Sequence, residues 1–254
     1  MEGNLNVRAA WGGRNVKMSG SASESVEMYL KTVAELGGES EPVPIGRVAE
    51  RLGISPVSAN EMIKRLGEND YIDHLPYKGV TLTENGRRVA NSVIRRQRLW
   101  ECFLVERLNM DWAKAYELAC DLEHATAPEV TDALAAFLDH PATCPHGNLI
   151  PDHAGRVRDM STISLAEVSA GESAYIRAVA PESSDVLAYL AERELLPGRR
   201  VTVVEVAPLE GPLTLQVTGS ADGHGTAREV VLGMALAQLV LVESANAHLT
   251  QVTT

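Results

Sequence analysis

Pro44-Ile-Gly-Arg-Val-Ala-Glu-Arg-Leu52, then Gly53, then Ser55-Pro-Val-Ser-Ala-Asn-Glu-Met-Ile-Lys-Arg-Leu66 is the stretch on which the fold turns. Its first part reads as a short helix with Ile45, Val48, Ala49 and Leu52 on one side. Gly53 supplies the turn, Ser55 is a good N-cap, and Pro56 suits the first helical position. The second helix is expected to bury Val57, Ile63 and Leu66 and to turn Ser58, Asn60, Glu61 and Lys64 outward. This is a helix-turn-helix layout. Two short β-like runs follow, 71–75 and 80–82, joined by Pro76-Tyr-Lys-Gly79, and a hairpin at that place reads as a wing.

Upstream, Ser23 caps a helix from Glu24 in which Val26, Tyr29, Leu30 and Val33 form an apolar stripe, ended by Gly37 and Gly38. Met28 points away from that stripe, so it is exposed, packs on another element, or serves as a ligand. Residues 1–22 read as a tail, and Met18 is an alternative start. Downstream, Thr83 caps a long helix over 84–108, with Val89, Val93, Trp100 and Leu104 on one side. Further helices are expected over 112–124 and from Pro128, the latter carrying Val130, Leu134, Phe137 and Leu138. The Pro/Gly-rich residues 141–160 read as a linker. Beyond them, β-rich runs at 174–179, 200–206, 213–217 and 239–242, with one helix over 184–193, suggest a small barrel.

The chain has 254 residues, 45% hydrophobic and 22% charged, as in ordinary globular proteins. No apolar run is long enough for a membrane span, and the N-terminus lacks a secretory pattern. Three separated cysteines, Cys102, Cys120 and Cys144, fit a reducing compartment, so a cytoplasmic protein is expected. The net charge of −11 opposes nucleic-acid binding unless positive charge is concentrated locally. Arg87, Arg88, Arg95, Arg96 and Arg98, with Lys64, Arg65 and Lys78, are expected to supply that concentration near the wing and long helix.

Cys120-Asp-Leu-Glu123-His124 places a thiol, a carboxylate and an imidazole at i, i+3 and i+4, on one helix face. All three are metal-ligand types. Spacing alone also admits a buried cysteine beside a solvated Glu-His pair. Residues 24–152 resemble the iron- and manganese-dependent repressors typified by the diphtheria toxin repressor. The carrying stretches are Val26–Thr32, Val48–Leu66, Leu82–Gly86, Glu117–His124 and Cys144–Asn148, in the family's order. Residues 162–243 resemble the FeoA-type SH3-like domain, through Leu195–Val201, Ala207–Pro212 and Val230–Gly233.

The resemblance implies a mainly α N-terminal half followed by a small all-β SH3-like barrel. The expected units are a winged helix-turn-helix domain (23–94), a helical metal-binding and dimerisation domain (95–150), a linker (151–161), the barrel (162–243) and a C-terminal tail (244–254). It implies a primary metal site of Met28, Cys120, Glu123 and His124, which also explains the orientation of Met28. Sulfur donors favour Fe2+ over Mn2+, with Co2+, Ni2+ and Zn2+ as laboratory substitutes and Mn2+ as the alternative. The family's ancillary site, with Glu101 and Gln97 as its candidate residues, is expected either to be absent, the favoured reading, or to be rebuilt from Glu101 with a shifted carboxylate. Gln97 and Tyr116 stand where histidines are usual and only Glu101 remains; Ser183 and Val186 replace the barrel's ligands, with Glu182 and Asp185 adjacent. His140, Cys144 and His146 are expected to belong to a structural loop, and His74, His153, His224 and His248 to be isolated.

The implied activity is metal-dependent repression by a homodimer on a palindromic DNA operator, with no enzymatic chemistry. Ser55, Pro56, Ser58, Asn60 and Lys64 are the expected readers of base edges, Lys64 and Lys78 the expected contacts to phosphate, and Tyr77 a further expected DNA-binding residue. A metal-independent winged-helix regulator is the rival reading.

Overall fold

The computed structural model describes residues 23–158, 160–218 and 227–245. The expected tail over 1–22, residues 246–254, His224 and His248 lie outside them. Helix α1 (Glu24–Glu35) begins at Ser23, whose Oγ accepts from the Val26 amide. Helix α2 (Ile45–Leu52) ends at Gly53 in the left-handed region, and α3 (Pro56–Glu68) starts under the Ser55 cap. Strands β1 (Ile72–Leu75) and β2 (Gly79–Leu82) pair antiparallel as the wing. Tyr29, Leu30 and Val33 meet Val48, Ile63, Leu66, Ile72, Val80 and Leu82 in one core. Each such aliphatic side chain, fully buried, contributes about 1.5–3 kcal/mol. Gly79, at φ +131, lies so close to the chain before α2 that a Cβ would sit 2.1 Å from the Val43 carbonyl oxygen.

Val57 departs from expectation: it is 69% exposed. It stands in the first turn of α3, beyond the edge of the core, and Ala59 takes the inward place.

Helix α4 (Glu84–Cys102) runs on into a π-helical turn, Phe103–Arg107, so the long helix has its expected extent with a widened last turn. Helix α5 (Trp112–His124) starts under Asp111, which accepts from the Ala113 and Lys114 amides. Helix α6 (Pro128–Phe137) packs Leu134 and Ala135 against Leu99 and Cys102, while Val130 and Phe137 stay exposed. Three of the arginines expected to build a basic face turn inward instead. Arg95 donates to the Pro151 carbonyl (2.7 Å), Arg98 to that of Leu149 (2.5 Å), and Arg96 pairs with Glu27 (2.6 Å) and Glu123 (3.3 Å). Long guanidinium stems span the gap to loop carbonyls and carboxylates that would otherwise lack partners.

The C-terminal unit holds β3 (Ile163–Ser164), β4 (Ser173–Val179), α7 (Ser184–Glu192), β5 (Arg200–Val206), β6 (Leu213–Thr218), β7 (Arg228–Leu232), α8 (Met234–Ala237) and β8 (Val240–Ser244). They form an antiparallel sheet in the order β3-β8-β4-β5-β6-β7. The sequence runs missed β3, which is two residues long, and β7, which opens on Arg-Glu. The unit's core also takes Trp112 and Ala113 from α5, and the Trp112 indole donates to the Leu187 carbonyl at 3.0 Å.

Residues 143–149 are not a free linker. Thr143 bridges to Leu149, the Cys144 amide donates to Asn148, the Val179 amide donates to His146, and the Asn148 side chain returns to the Val179 carbonyl. Gly147, at φ +86, touches β4 so closely that a Cβ would lie 1.7 Å from the Arg177 carbonyl oxygen. The prolines and glycines that read as a spacer set turns that press this loop onto the sheet. Among the described residues no helix is long and apolar enough to cross a membrane.

Candidate metal centres

Helices α1 and α5 bring Met28, Cys120 and His124 onto one cavity of about 440 Å3, which Lys31, Glu35, Arg51 and Tyr116 also line. Met28 is 40% exposed. Glu123 is fully buried beside it on α5; its Oε2 pairs with Arg96, and its Oε1 lies 3.1 Å from His124 Nδ1 without a hydrogen bond. Glu123 does not line that cavity, but its unpartnered buried oxygen beside the His124 imidazole, one turn from Cys120, fits a divalent cation by donor type, because such an oxygen is costly to leave bare. Burial pushes the Cys120 thiol up to about 11. The donors are not drawn tight, and Lys31 reaches in from α1 to place Nζ 3.8 Å from Cys120 Sγ.

Burial would pull the Lys31 ammonium down, but Glu35, Cys120, Glu123 and Glu101 outweigh it and hold it above its ordinary value. A divalent ion here adds positive charge beside a fixed ammonium, which repels it. Lys31→Met is therefore expected to tighten metal binding at this site by about tenfold, allowing for solvent screening. Competition titrations against a chelator read the change; an unchanged or weaker affinity would mean that Lys31 simply moves aside.

A second, tighter group joins two residues expected to belong to a structural loop, Cys144 and His146, to the doubtful ancillary candidate Glu101 and to Glu182. Glu101, Cys144, His146 and Glu182 are all buried, with one donor atom from each lying within 4.8 Å of the others. They come from α4, the 143–149 loop and the segment before α7. His146 Nδ1 lies 3.1 Å from Glu101, 3.2 Å from Glu182 and 3.8 Å from Cys144 Sγ, while Nε2 faces the Trp112 carbonyl at 3.0 Å. A proton on Nε2, held by that carbonyl, leaves Nδ1 as the nitrogen aimed at the group. Gln97 donates to Glu101 Oε1 (2.8 Å) and Asn148 to Glu182 Oε1 (2.7 Å), so both carboxylates are oriented from behind.

Burying these groups together shifts Cys144, His146 and Glu182. Burial pushes the Cys144 thiol far up. Burial alone would lower His146, but Cys144, Glu101 and Glu182 outweigh it and hold the imidazole well above its usual range. Burial raises Glu182, yet His146, Arg98 and Asn148 bring it below the ordinary carboxylate value. Two carboxylates, a thiol and an imidazole fit a divalent transition ion by type and spacing.

Of the two expectations for an ancillary site, the geometry places Glu101 beside a neighbouring carboxylate, Glu182, the arrangement that a rebuilt site would use. Gln97 stands one step behind Glu101 rather than beside it, and Tyr116 lies edge-on to His146. The signal was present as Cys144-Pro-His146, but its partners lie 43 residues back, at Glu101, and 38 residues on, at Glu182. Only the fold joins them.

Three family profiles match in order: the iron dependent repressor N-terminal DNA binding domain over residues 21–80, the iron dependent repressor metal binding and dimerisation domain over 83–152, and the FeoA domain over 163–244. The diphtheria toxin repressor of Corynebacterium efficiens is 32% identical over 161 residues, 61% of this chain and 70% of that protein. The chain belongs to the iron-dependent repressor family. The iron-dependent repressor IdeR of Mycobacterium tuberculosis is 29% identical over 211 residues, covering 77% of this repressor and 90% of that one. Among solved structures, a manganese-dependent transcriptional repressor in complex with manganese superposes with a TM-score of 0.77 at 31% identity, over 86% of this repressor and 99% of that chain. ScaR with bound Zn2+ superposes at 0.74 and 28%, over 86% and 99%. The repressor is accordingly a member of a family of metal-dependent transcriptional regulators with DNA-binding and metal-binding dimerisation domains.

On the DNA-binding domain, Ser55 Oγ accepts from the Ser58 amide (3.1 Å) and meets Ser58 Oγ (3.0 Å), and the Asn60 side chain donates to the Pro56 carbonyl (2.8 Å). These expected base readers serve the first turn of α3 in the free protein. Lys64 is exposed, 4.0 Å from Glu68, and Lys78 is exposed on the wing. Tyr77 is fully exposed at the wing tip at φ +65. Val57, expected in the core, is exposed on the first turn of α3 beside the expected base readers.

Proposed function

We propose that this repressor senses Fe2+ in the cytoplasm and, when loaded, binds a palindromic operator as a homodimer to control metal-homeostasis genes. The observation that carries the reading is the buried Glu101, Cys144, His146 and Glu182 group, whose donors come from both the helical and the sheet units. The primary centre is proposed as Met28, Cys120, Glu123 and His124, spanning α1 and α5. A bound cation supplies positive charge that ties separate segments together. The chain's own groups do the rest: Met28 and Cys120 supply sulfur, Glu123 a bare oxygen, and Gln97, Asn148 and the Trp112 carbonyl fix the second donor set. Ordering α1 against α5 sets the spacing of the two α3 helices to successive major grooves, about 34 Å apart. The exposed Val130 and Phe137 of α6 support an apolar contact between copies.

Three sulfur donors over the two centres favour Fe2+ over Mn2+. The paired carboxylates of the buried group favour a second reading, Mn2+ at that centre, in line with the manganese-dependent relative. Anaerobic operator binding at buffered free Fe2+ or Mn2+ tests both. The expected result is at least about a tenfold gain in operator affinity with Fe2+ over metal-free protein, reached at lower free concentration than with Mn2+. Equal affinity with and without metal would end the sensor reading, and a Mn2+ response at lower concentration would transfer it to manganese.

A further inference from the structure

Arg51 occupies the last turn of α2, the first helix of the helix-turn-helix, yet its guanidinium leaves that domain. It donates to the main-chain carbonyl of Glu182 and to the Tyr116 hydroxyl at 3.4 Å, and lies 3.6 Å from Glu35 Oε2. Tyr116 itself donates to the same Glu182 carbonyl at 3.3 Å and stands edge-on to His146. One side chain therefore ties α2 to α1 within the reading unit and joins that unit to the dimerisation helix and to the segment entering α7. Glu182 is the shared point: its carbonyl receives Arg51 and Tyr116, while its carboxylate lies in the buried donor group, 3.2 Å from His146 and 2.7 Å from the Asn148 donor.

We propose that Arg51 is the positioning residue that couples occupancy of the buried donor group to the placement of the recognition helix. This rests on the metal-site reading of that group. When the Glu182 carboxylate changes partner, the adjoining carbonyl is held to a new position. Arg51 then carries the change to α2, and the Gly53 turn carries it to α3. All three contacts converge on one guanidinium nitrogen, Nη2: its two N–H groups serve the carbonyl and the hydroxyl, and its charge draws the Glu35 carboxylate. Coupling of this kind is a difference in operator affinity between loaded and unloaded protein, and it runs equally in both directions.

The test uses the full chain with Arg51→Met and Arg51→Lys. Cobalt loading of the buried group is followed by the part of the thiolate-to-cobalt absorption that Cys144→Ala removes and Cys120→Ala leaves, and operator affinity is measured with and without metal. The expected result is cobalt affinity at the buried group, read by the Cys144-dependent absorption, within about twofold of the parent for Arg51→Met. The ratio of loaded to unloaded operator affinity should fall by about tenfold, with a partial return in Arg51→Lys. An unchanged ratio, or an equal loss of loaded and unloaded affinity, overturns the proposal. The second pattern would make Arg51 a structural support only. A parent protein with no Cys144-dependent band would instead sink the metal-site reading and this coupling with it.

Discussion

Replacing Cys144 with Ala is expected to weaken metal binding at the buried group by more than about a hundredfold, beyond the range seen when only a ligand's supporting partner is lost. Three properties of the site produce that size. The thiol is buried, so water cannot replace it. It sits within 3.8 Å of both His146 and Glu182, so the remaining donors cannot close on a smaller set without moving a loop pinned to β4. It is also the soft donor of the four, so its loss should shift preference towards Mn2+ relative to Fe2+ or Co2+. Cys144→Ser separates chemistry from packing, since it keeps the volume and a weak oxygen donor. Calorimetric titration of both variants reads the effect. Parent-like affinity in Cys144→Ala would show that the group holds no metal.

The second large effect concerns pH. In the metal-free protein His146 holds its proton well above the usual imidazole range, and burial keeps the Cys144 thiol protonated. Metal entry needs the Nδ1 lone pair and the thiolate, so both protons must leave. The sign follows: affinity rises with pH, and acid opposes loading. Because both groups stay protonated through the neutral range, the expected slope is about two decades of affinity per pH unit between about pH 6 and 8. Titrations in two buffers of different ionisation enthalpy count the protons released. Cys144→Ala should release one fewer and halve the slope. A parent slope near zero would mean that these groups titrate without regard to metal.

Much of this architecture was legible because local chemistry and long-range packing agree. Ser23, Ser55, Thr83 and Asp111 each cap the helix expected after them or begun beside them. The stripe of Tyr29, Leu30 and Val33 lies in the core as its periodicity requires. Met28, out of phase with that stripe, faces the cavity of Cys120 and His124. Illegible were features set by elements distant in sequence. Val57 sits on a helix face whose burial depends on where the domain ends. Arg95, Arg96 and Arg98 read as a basic run, but their partners are carbonyls and carboxylates brought in by the fold. Cys144 and His146 lie among prolines that suggested a spacer, and Glu101 and Glu182 join them only once α4, the loop and the sheet have met.

Trp112 belongs to α5 by sequence but to the sheet unit by packing, and its carbonyl faces the His146 ring from behind. The border between helical and β units is therefore not a free seam for recombination. Any sheet unit exchanged in from a relative must bring a slot for an indole, a carbonyl at the place of Leu187 to receive its N–H, and a carboxylate at the place of Glu182. Inheritance of the two halves is tied by that demand, so drift in one is answerable to the other.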